Sequence, residues 1–235
     1  MPPKRKARVE KSNSSSSKRK ARVDKTPKAE SEDESGSAFT EYPVSKVYRL
    51  IEPGPVLLVT TGSLADGTHN VMTIGFHMMM QHESPALIGV CIGPWDARFA
   101  SLRSRKECVL AIPSVEIAEV VVDVGNCSAD DDGDGDGDDK VDKWSRFSLE
   151  ALPAEKVKAP LVGGPDVIAN IECVVEDTKM VGKYSMWVLK AVKAWINPAK
   201  KDGRMFHHRG DGTFVVDGEV LDLQERMTKW KEYQS

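Results

Sequence analysis

Four runs of β-branched and aliphatic residues between Gly54 and Ser114 constrain the fold of this chain most strongly. The runs are residues 56–61, 69–76, 86–92 and 107–112. Asp66 and Gly67 form a turn signal between the first two runs, so these runs predict a hairpin. Later runs predict strands at residues 169–175, 186–195 and 213–216. So many strands with few helical segments predict a mainly β fold with added helices.

The segment between the third and fourth runs predicts a short basic helix that starts near Ala97. Gly93 ends the strand, and Asp96 is a suitable helix cap. The N-terminal amides of this helix, with Arg98 in the first turn and Ser101 one turn later, suit a phosphate group, because unpaired N–H groups and the helix dipole both favour an anion. Asp96 brings a like charge, and the alternative is a capped surface helix with solvated arginines.

Eight blocks of sequence stand in the chain in the order GPVLLVTT, NVMTIGF, CIGPWD, ECVLAIPS, GNCS, VDKWSRF, KAPLV and ANIECVVEDT. In these blocks the chain resembles the flavin reductase-like family with the FMN-binding split barrel, the group that includes flavoredoxins. The resemblance extends from about Tyr42 to the C-terminus. It implies an antiparallel split β-barrel of six strands with added helices, a homodimer, and FMN near the subunit interface.

The resemblance also implies three cofactor-binding segments. The strand segment that lines the isoalloxazine ring corresponds to Asn70, Val71, Met72, Thr73 and Ile74. The loop and helix start that hold the phosphate correspond to Trp95, Asp96, Arg98 and Ser101. The loop that closes over the ring edge corresponds to Asn126, Cys127 and Ser128. Many relatives place a basic residue and two hydroxyl residues in the phosphate segment, where this chain has Pro94, Asp96 and Arg98.

A flavin accepts hydride at its own N5 atom, so its protein needs to supply little acid or base. We therefore expect an NAD(P)H-dependent flavin reductase, with NADH or NADPH as donor. The alternative is a noncatalytic or electron-transfer FMN-binding module without a nicotinamide site. No GxGxxG element is present, so any nicotinamide must stack directly on the flavin. If a histidine places the nicotinamide or stabilises reduced flavin, we favour His208, because adjacent His207 and His208 on a strand point to opposite faces.

The first 40 residues predict a disordered basic tail, followed by one folded domain over residues 41–235. Residues 1–30 hold eleven Lys or Arg against three Asp or Glu, a net charge of +8, and repeat KRKARV. The repeat, from Lys4 to Arg22, resembles a signal for a nuclear-import receptor. The alternatives are a solvated extension and a nucleic-acid arm, of which we consider the arm unlikely. The predicted location is the nucleus or cytoplasm.

An acidic Asp/Gly insertion at residues 129–140 superficially resembles a calcium loop. An EF-hand that starts at Asp130 would have Val141 at its twelfth position instead of a bidentate Glu, so we predict a solvated loop and no metal. The four cysteines form no CxxC pair, and neither a signal peptide nor a long apolar span precedes them. This pattern predicts a reduced, intracellular protein that does not contact membranes.

Overall fold

The computed structural model describes residues 43, 54–94, 99–127 and 142–226. The basic tail, the acidic insertion and the helix cap Asp96 lie outside these residues, so the predictions made for them remain predictions. The family-implied residues Trp95, Arg98 and Ser128 also lie outside them.

The described residues form eleven strands, four helices and two 3-10 turns. The strands are β1 (Leu57–Thr61), β2 (Asn70–Ile74), β3 (His77–Gln81), β4 (Leu87–Cys91), β5 (Glu107–Pro113), β6 (Ala151–Leu152), β7 (Leu161–Val162), β8 (Val167–Asp177), β9 (Met186–Ile196), β10 (Phe206–His208) and β11 (Phe214–Val216). The helices are α1 (Phe99–Arg105), α2 (Ala118–Asn126), α3 (Lys143–Arg146) and α4 (Val181–Tyr184). The 3-10 turns are Val115–Ile117 and Gln224–Arg226.

Seven strands form one antiparallel sheet in the order β2-β1-β5-β8-β9-β4-β3. The predicted hairpin is confirmed, since β1 pairs with β2 from Leu57 opposite Ile74 to Thr61 opposite Asn70. The outermost strands β2 and β3 are consecutive in the chain, with only Gly75 and Phe76 between them. Both edges of the sheet must therefore meet, and the sheet curls into the expected split barrel. Counted as one bent strand, β2 and β3 reconcile the seven strands with the six that the resemblance implied.

The sheet is buried on both faces along β1. Leu57 and Val59 join the cluster inside the barrel, whereas Leu58 faces the cluster that includes Val121 and Val124 of α2. Two-sided burial explains why this run is apolar without alternation. The outer helix covers the sheet, and the inner cluster forms the barrel core.

The predicted helix near Ala97 corresponds to α1. Residues 115–124 also suit a helix, because Val115, Ile117, Ala118, Val121 and Val122 lie mainly on one side of it, and they form the turn Val115–Ile117 followed by α2. The strand predicted at residues 69–76 is shorter than expected, because it ends at Ile74. Phe76, the last apolar residue of the predicted strand, is 56% exposed. None of the helices in the described ranges has the length and apolar character that crossing a bilayer requires.

Candidate functional site

A cleft of about 670 Å³ lies beside the junction of β2 and β3. Four segments that are distant in sequence line it. These are residues 73–76 at the end of β2, Cys91, Gly93 and Pro94 after β4, Phe99 at the start of α1, and residues 181–185 of the α4 segment. The cleft therefore depends on the closed barrel and not on one local motif.

The β2 side of the cleft offers backbone groups more than side chains. Val71 is fully buried on the α2 side, and Met72 and Ile74 join the barrel core. The Thr73 hydroxyl donates to the carbonyl of Val121 in α2 at 2.6 Å. Because β2 is an edge strand, about half of its N–H and C=O groups point away from β1. This edge can pair with a ligand that carries alternating donors and acceptors.

The α4 side is fixed to the end of β4 by the backbone. The N–H of Ile92 donates to the carbonyl of Ser185 at 2.9 Å. Ser185 has a left-handed backbone with φ of 55° and ends α4. Its own N–H donates to the carbonyl of Val181 at 2.9 Å. These bonds hold Lys183 and Tyr184 beside the cleft.

Exposed aromatic side chains and one cation mark the chemistry of the cleft. Phe76 is 56% exposed and Tyr184 is 59% exposed, although both line a concave surface. Of the lining residues that the structure describes, only Lys183 carries a charge, and none is acidic. Flat apolar faces, free backbone groups and a positive charge suit a planar, polar-edged, anionic ligand.

Two of the five predicted ring-binding residues, Thr73 and Ile74, line this cleft. Asn70 lies at the opposite end of β2, where its side-chain oxygen accepts from the N–H of Val71 at 2.6 Å. Val71 and Met72 point into the two cores, so only their backbone groups are available to a ligand. The assignment of these three residues to the ring stays a prediction.

The phosphate and loop predictions fall partly within the described residues. Ser101 is half-buried in α1 and is not among the described lining residues. Asn126 is exposed at the end of α2, next to Gly125, which packs closely against Thr73. Cys127 is buried, and the guanidinium of Arg146 lies 3.8 Å from its sulfur. No cation precedes or follows Cys127 directly in the sequence, so only the fold could bring Arg146 to it.

His208 lies next to the cleft at Gly75. A β-carbon added at Gly75 would stand 4.0 Å from that of His208. The His208 ring packs against Phe214 with centroids 5.0 Å apart, and its Nε2 accepts from the N–H of Gly212 at 3.4 Å. His207 instead places Nε2 at 3.0 Å from Oδ1 of Asp217. The two histidines thus have different partners.

A second cavity of about 790 Å³ opens at the β3 edge and is mostly apolar. It is lined by barrel residues such as Leu110 and Ile171 and by Met78 and Met79 of β3. Beside it, four large apolar side chains are exposed, which we call the β3 methionine patch. The patch consists of Phe76, Met78, Met79 and Met80.

Burial lowers the pKa of His77, which also lies at this second cavity. The carbonyl of Pro55 accepts a hydrogen bond from the His77 ring at 2.6 Å and opposes this shift. Nearby His207 lowers the pKa of His77 further. His77 is therefore held toward its neutral form.

Within the described ranges, no three His, Cys, Asp or Glu side chains are grouped so that they could hold a metal ion.

Sequence reasoning did not find the α4 segment. Residues 178–185 carry no motif, and their place at the cleft depends on the contact between Ile92 and Ser185, which are far apart in the chain. The available signal was indirect. This segment connects two long predicted strands, and it reaches the same end of the barrel as the Gly93–Pro94 break.

Comparisons with known proteins agree with the fold. The family model described as flavin reductase like domain matches residues 48–214. An uncharacterized protein of Pyrococcus abyssi is 28% identical over 145 residues, which cover 62% of this chain and 75% of that protein. Flavoredoxin of Desulfovibrio vulgaris (Miyazaki F) has a similar structure, with a TM-score of 0.60 and 19% identity over 72% of this chain and 90% of its own.

A further similar structure is the NADH:FAD oxidoreductase of Streptomyces globisporus C-1027 in complex with NAD and FAD fragments. Its TM-score is 0.57 at 17% identity, with 76% of this chain and 93% of that chain covered. At such identities, the likeness to the two solved structures establishes the fold alone.

Proposed function

Because the chain belongs to the flavin reductase-like family, we propose that the cleft beside β2 binds FMN and that the protein is an NAD(P)H-dependent flavin oxidoreductase. The observation that carries the proposal is the combination found in the cleft. An edge strand, two exposed aromatic side chains and one cation face the same space.

The cleft fits the isoalloxazine ring in size and chemistry. Its volume of about 670 Å³ lies in the range of small-molecule sites. The backbone groups of Thr73 and Ile74 that point away from β1 would pair with the donors and acceptors of the pyrimidine part of the ring. Phe76 and Tyr184 would contact its faces or its dimethylbenzene edge. Bound FMN supplies the hydride-accepting N5 atom, and these residues hold and orient it.

The phosphate end of FMN is assigned to Arg98 and Ser101 on the evidence of the sequence. Ser101 lies in the first turn of α1, the helix that brings Phe99 to the cleft. A ligand that extends from β2 past Phe99 would place its phosphate at this end. Arg98 would supply the charge for it.

We assign the nicotinamide to the open side of the cleft, near Gly75 and His208. Gly75 leaves room there, because a β-carbon at this position would meet no atom closer than 4.0 Å. The related Streptomyces oxidoreductase is described with NAD and FAD fragments together. His208 would then position the nicotinamide from the β10–β11 hairpin.

We also propose that the protein is a homodimer that buries the β3 methionine patch. Monomeric proteins seldom expose four adjacent large apolar side chains next to an apolar cavity. A second copy that covers this patch would also approach the cleft, since Phe76 and Cys91 line both cavities.

The test is an absorption spectrum of the purified protein with FMN, taken before and after anaerobic addition of NADH or NADPH. We expect a bound-flavin spectrum that is bleached by one of the two donors. Gly75→Leu should fill the cleft and weaken FMN binding at least about tenfold. Gly218→Leu is the matched control, because an added β-carbon there meets nothing within 4 Å and Gly218 does not line the cleft.

The outcomes separate the two candidate functions. A bound flavin that neither donor bleaches would favour the noncatalytic or electron-transfer module. A wild-type protein that fails to bind FMN, or a folded Gly75→Leu variant that binds it as tightly as wild type, contradicts the assignment of the cleft. Thermal unfolding of both glycine variants verifies that they fold.

A further inference from the structure

We infer that Lys183 is the positioning residue that sets the reduction potential of the bound flavin, by stabilising the negative charge that the ring gains on reduction. This inference rests on the proposed function. Lys183 is the only charged side chain among the described residues that line the cleft. A ring that becomes more negative in this cleft would therefore meet one nearby cation and no carboxylate from these residues.

Among the described residues, no neighbouring acid neutralises the charge of Lys183. Its ammonium lies 5.0 Å from the centroid of the Tyr184 ring. Nearby Lys179 instead pairs with Asp177 at 3.2 Å. Across the described part of the chain, no carboxylate forms an ion pair with Lys183. Its charge is thus available to a ligand, whereas the charge of Lys179 is compensated.

The backbone that carries Lys183 is held against the floor of the cleft. Ser185 ends α4 and its carbonyl accepts from Ile92, directly before Gly93 and Pro94. The N–H of Tyr184 donates to the carbonyl of Met180 at 2.9 Å and closes the single turn. The Lys183 side chain itself is exposed. The backbone of Lys183 is fixed and its ammonium group is exposed. The ammonium can therefore approach a negative charge that develops on a ligand, but solvent weakens the interaction.

The electron balance explains why one cation changes the potential. NAD(P)H gives a hydride, which is one proton with two electrons, to oxidised FMN, leaving NAD(P)⁺ and a flavin with one additional negative charge. A nearby ammonium binds that form more tightly than the oxidised form. By linkage, the ratio of the two affinities determines the shift in midpoint potential. Removing the charge should therefore lower the potential.

The experiment compares Lys183→Gln with Lys183→Arg and Lys179→Gln in the full chain. The midpoint potential of bound FMN is measured by equilibrium titration against a reference dye. For Lys183→Gln we expect the affinity for reduced FMN relative to oxidised FMN to fall roughly fivefold, which is about 20 mV for a two-electron couple. Lys183→Arg keeps the charge, and Lys179→Gln removes an already paired one, so both should leave the potential unchanged.

Dissociation constants for oxidised FMN and for riboflavin distinguish the ring from the phosphate. If Lys183→Gln weakens FMN but not riboflavin and leaves the potential unchanged, Lys183 contacts the phosphate and the inference is overturned. Bound FMN with the wild-type potential in Lys183→Gln also overturns it. Failure of the wild-type protein to bind either flavin contradicts the proposed function itself, so the two failures are separable.

Discussion

The two edge strands of the sheet, β2 and β3, follow each other in the chain but lie in opposite environments. β2 is covered on both faces, with Val71 against α2 and Met72 in the barrel core. On β3, Met78, Met79 and Met80 are all exposed. The change occurs across only Gly75 and Phe76.

The β2 edge is thus covered by other elements of the same chain, whereas the described residues leave the β3 edge uncovered. α2 and α3 cover the faces of β2, so the groups that β2 leaves free are backbone groups, which on our proposal face the flavin. No described helix covers β3, so it leaves apolar side chains exposed, which on our proposal face a second copy of the chain. On our proposal, the ligand site and the dimer interface occupy the two ends of one bent strand.

Charging the β3 methionine patch should break the proposed dimer. Met79 is 58% exposed, so Met79→Asp adds a charge without disturbing the core. A buried, unpaired carboxylate at the interface should raise the dimer dissociation constant at least about a hundredfold, or about 2.7 kcal/mol. Sedimentation equilibrium measures this change.

Leu221→Asp is the control for the added charge, because Leu221 is also apolar and strongly exposed but lies outside the patch. It should leave the dissociation constant unchanged. A monomeric wild-type protein, or a Met79→Asp variant that remains a tight dimer, would remove the contrast between the two edges.

Shortening one side chain on β2 and one on β3 should change the stability of the monomer by unequal amounts. In the Met79→Asp background, Val71→Ala leaves a small cavity between sheet and helix and should lower the free energy of unfolding by about 2 kcal/mol. Met78→Ala removes an exposed side chain and should change it by less than about 0.5 kcal/mol. Urea denaturation measures both. Equal losses would mean that β3 is as well packed within one chain as β2.

Much of the fold was predictable because the patterns that carry it are local. The run at residues 56–61 is apolar at every core position, which fits a strand buried on both sides, and Asp66–Gly67 supplied the turn to β2. These two signals predicted the hairpin of β1 and β2, and the structure supplies its register. The apolar side of the segment 115–124 was readable in part, since Val121 of that predicted side is fully buried.

The site was less predictable because long-range contacts build it. The resemblance implied Thr73 as a ring-binding residue, but only the fold shows that its hydroxyl bonds to α2, so the groups it could offer a ligand were not readable from the sequence. Lys183 lies at the cleft in a segment that a bond between Ile92 and Ser185, far apart in the chain, joins to the end of β4. Met78, Met79 and Met80 suit either a core or an interface, since the hydrophobicity of a side chain does not determine in which of the two it lies.

The central strand β8 differs from both edge strands because it carries a buried carboxylate, Glu172. Burial raises the pKa of this carboxyl, but hydrogen bonds from the Trp195 indole and from three backbone N–H groups outweigh it, so the pKa is held below its usual value of 4.5. The donors lie at 2.7 Å for the indole and at 2.5 to 3.1 Å for the N–H groups of residues 155–157. Glu172 thus holds this segment on the sheet.

Since the folded-state pKa is lowered, the ionised carboxylate stabilises the fold fully above pH 4.5, and this contribution is lost as the pH falls below that value. Glu172→Gln retains an acceptor but no charge, so it should cost about 1 kcal/mol at pH 7 and less at pH 3. Glu176→Gln removes an exposed partner of Lys190 and should cost only about 0.3 kcal/mol at pH 7. Urea denaturation at both pH values measures the difference. If Glu172→Gln lost as much stability at pH 3 as at pH 7, the charge of Glu172 would not be what holds residues 155–157.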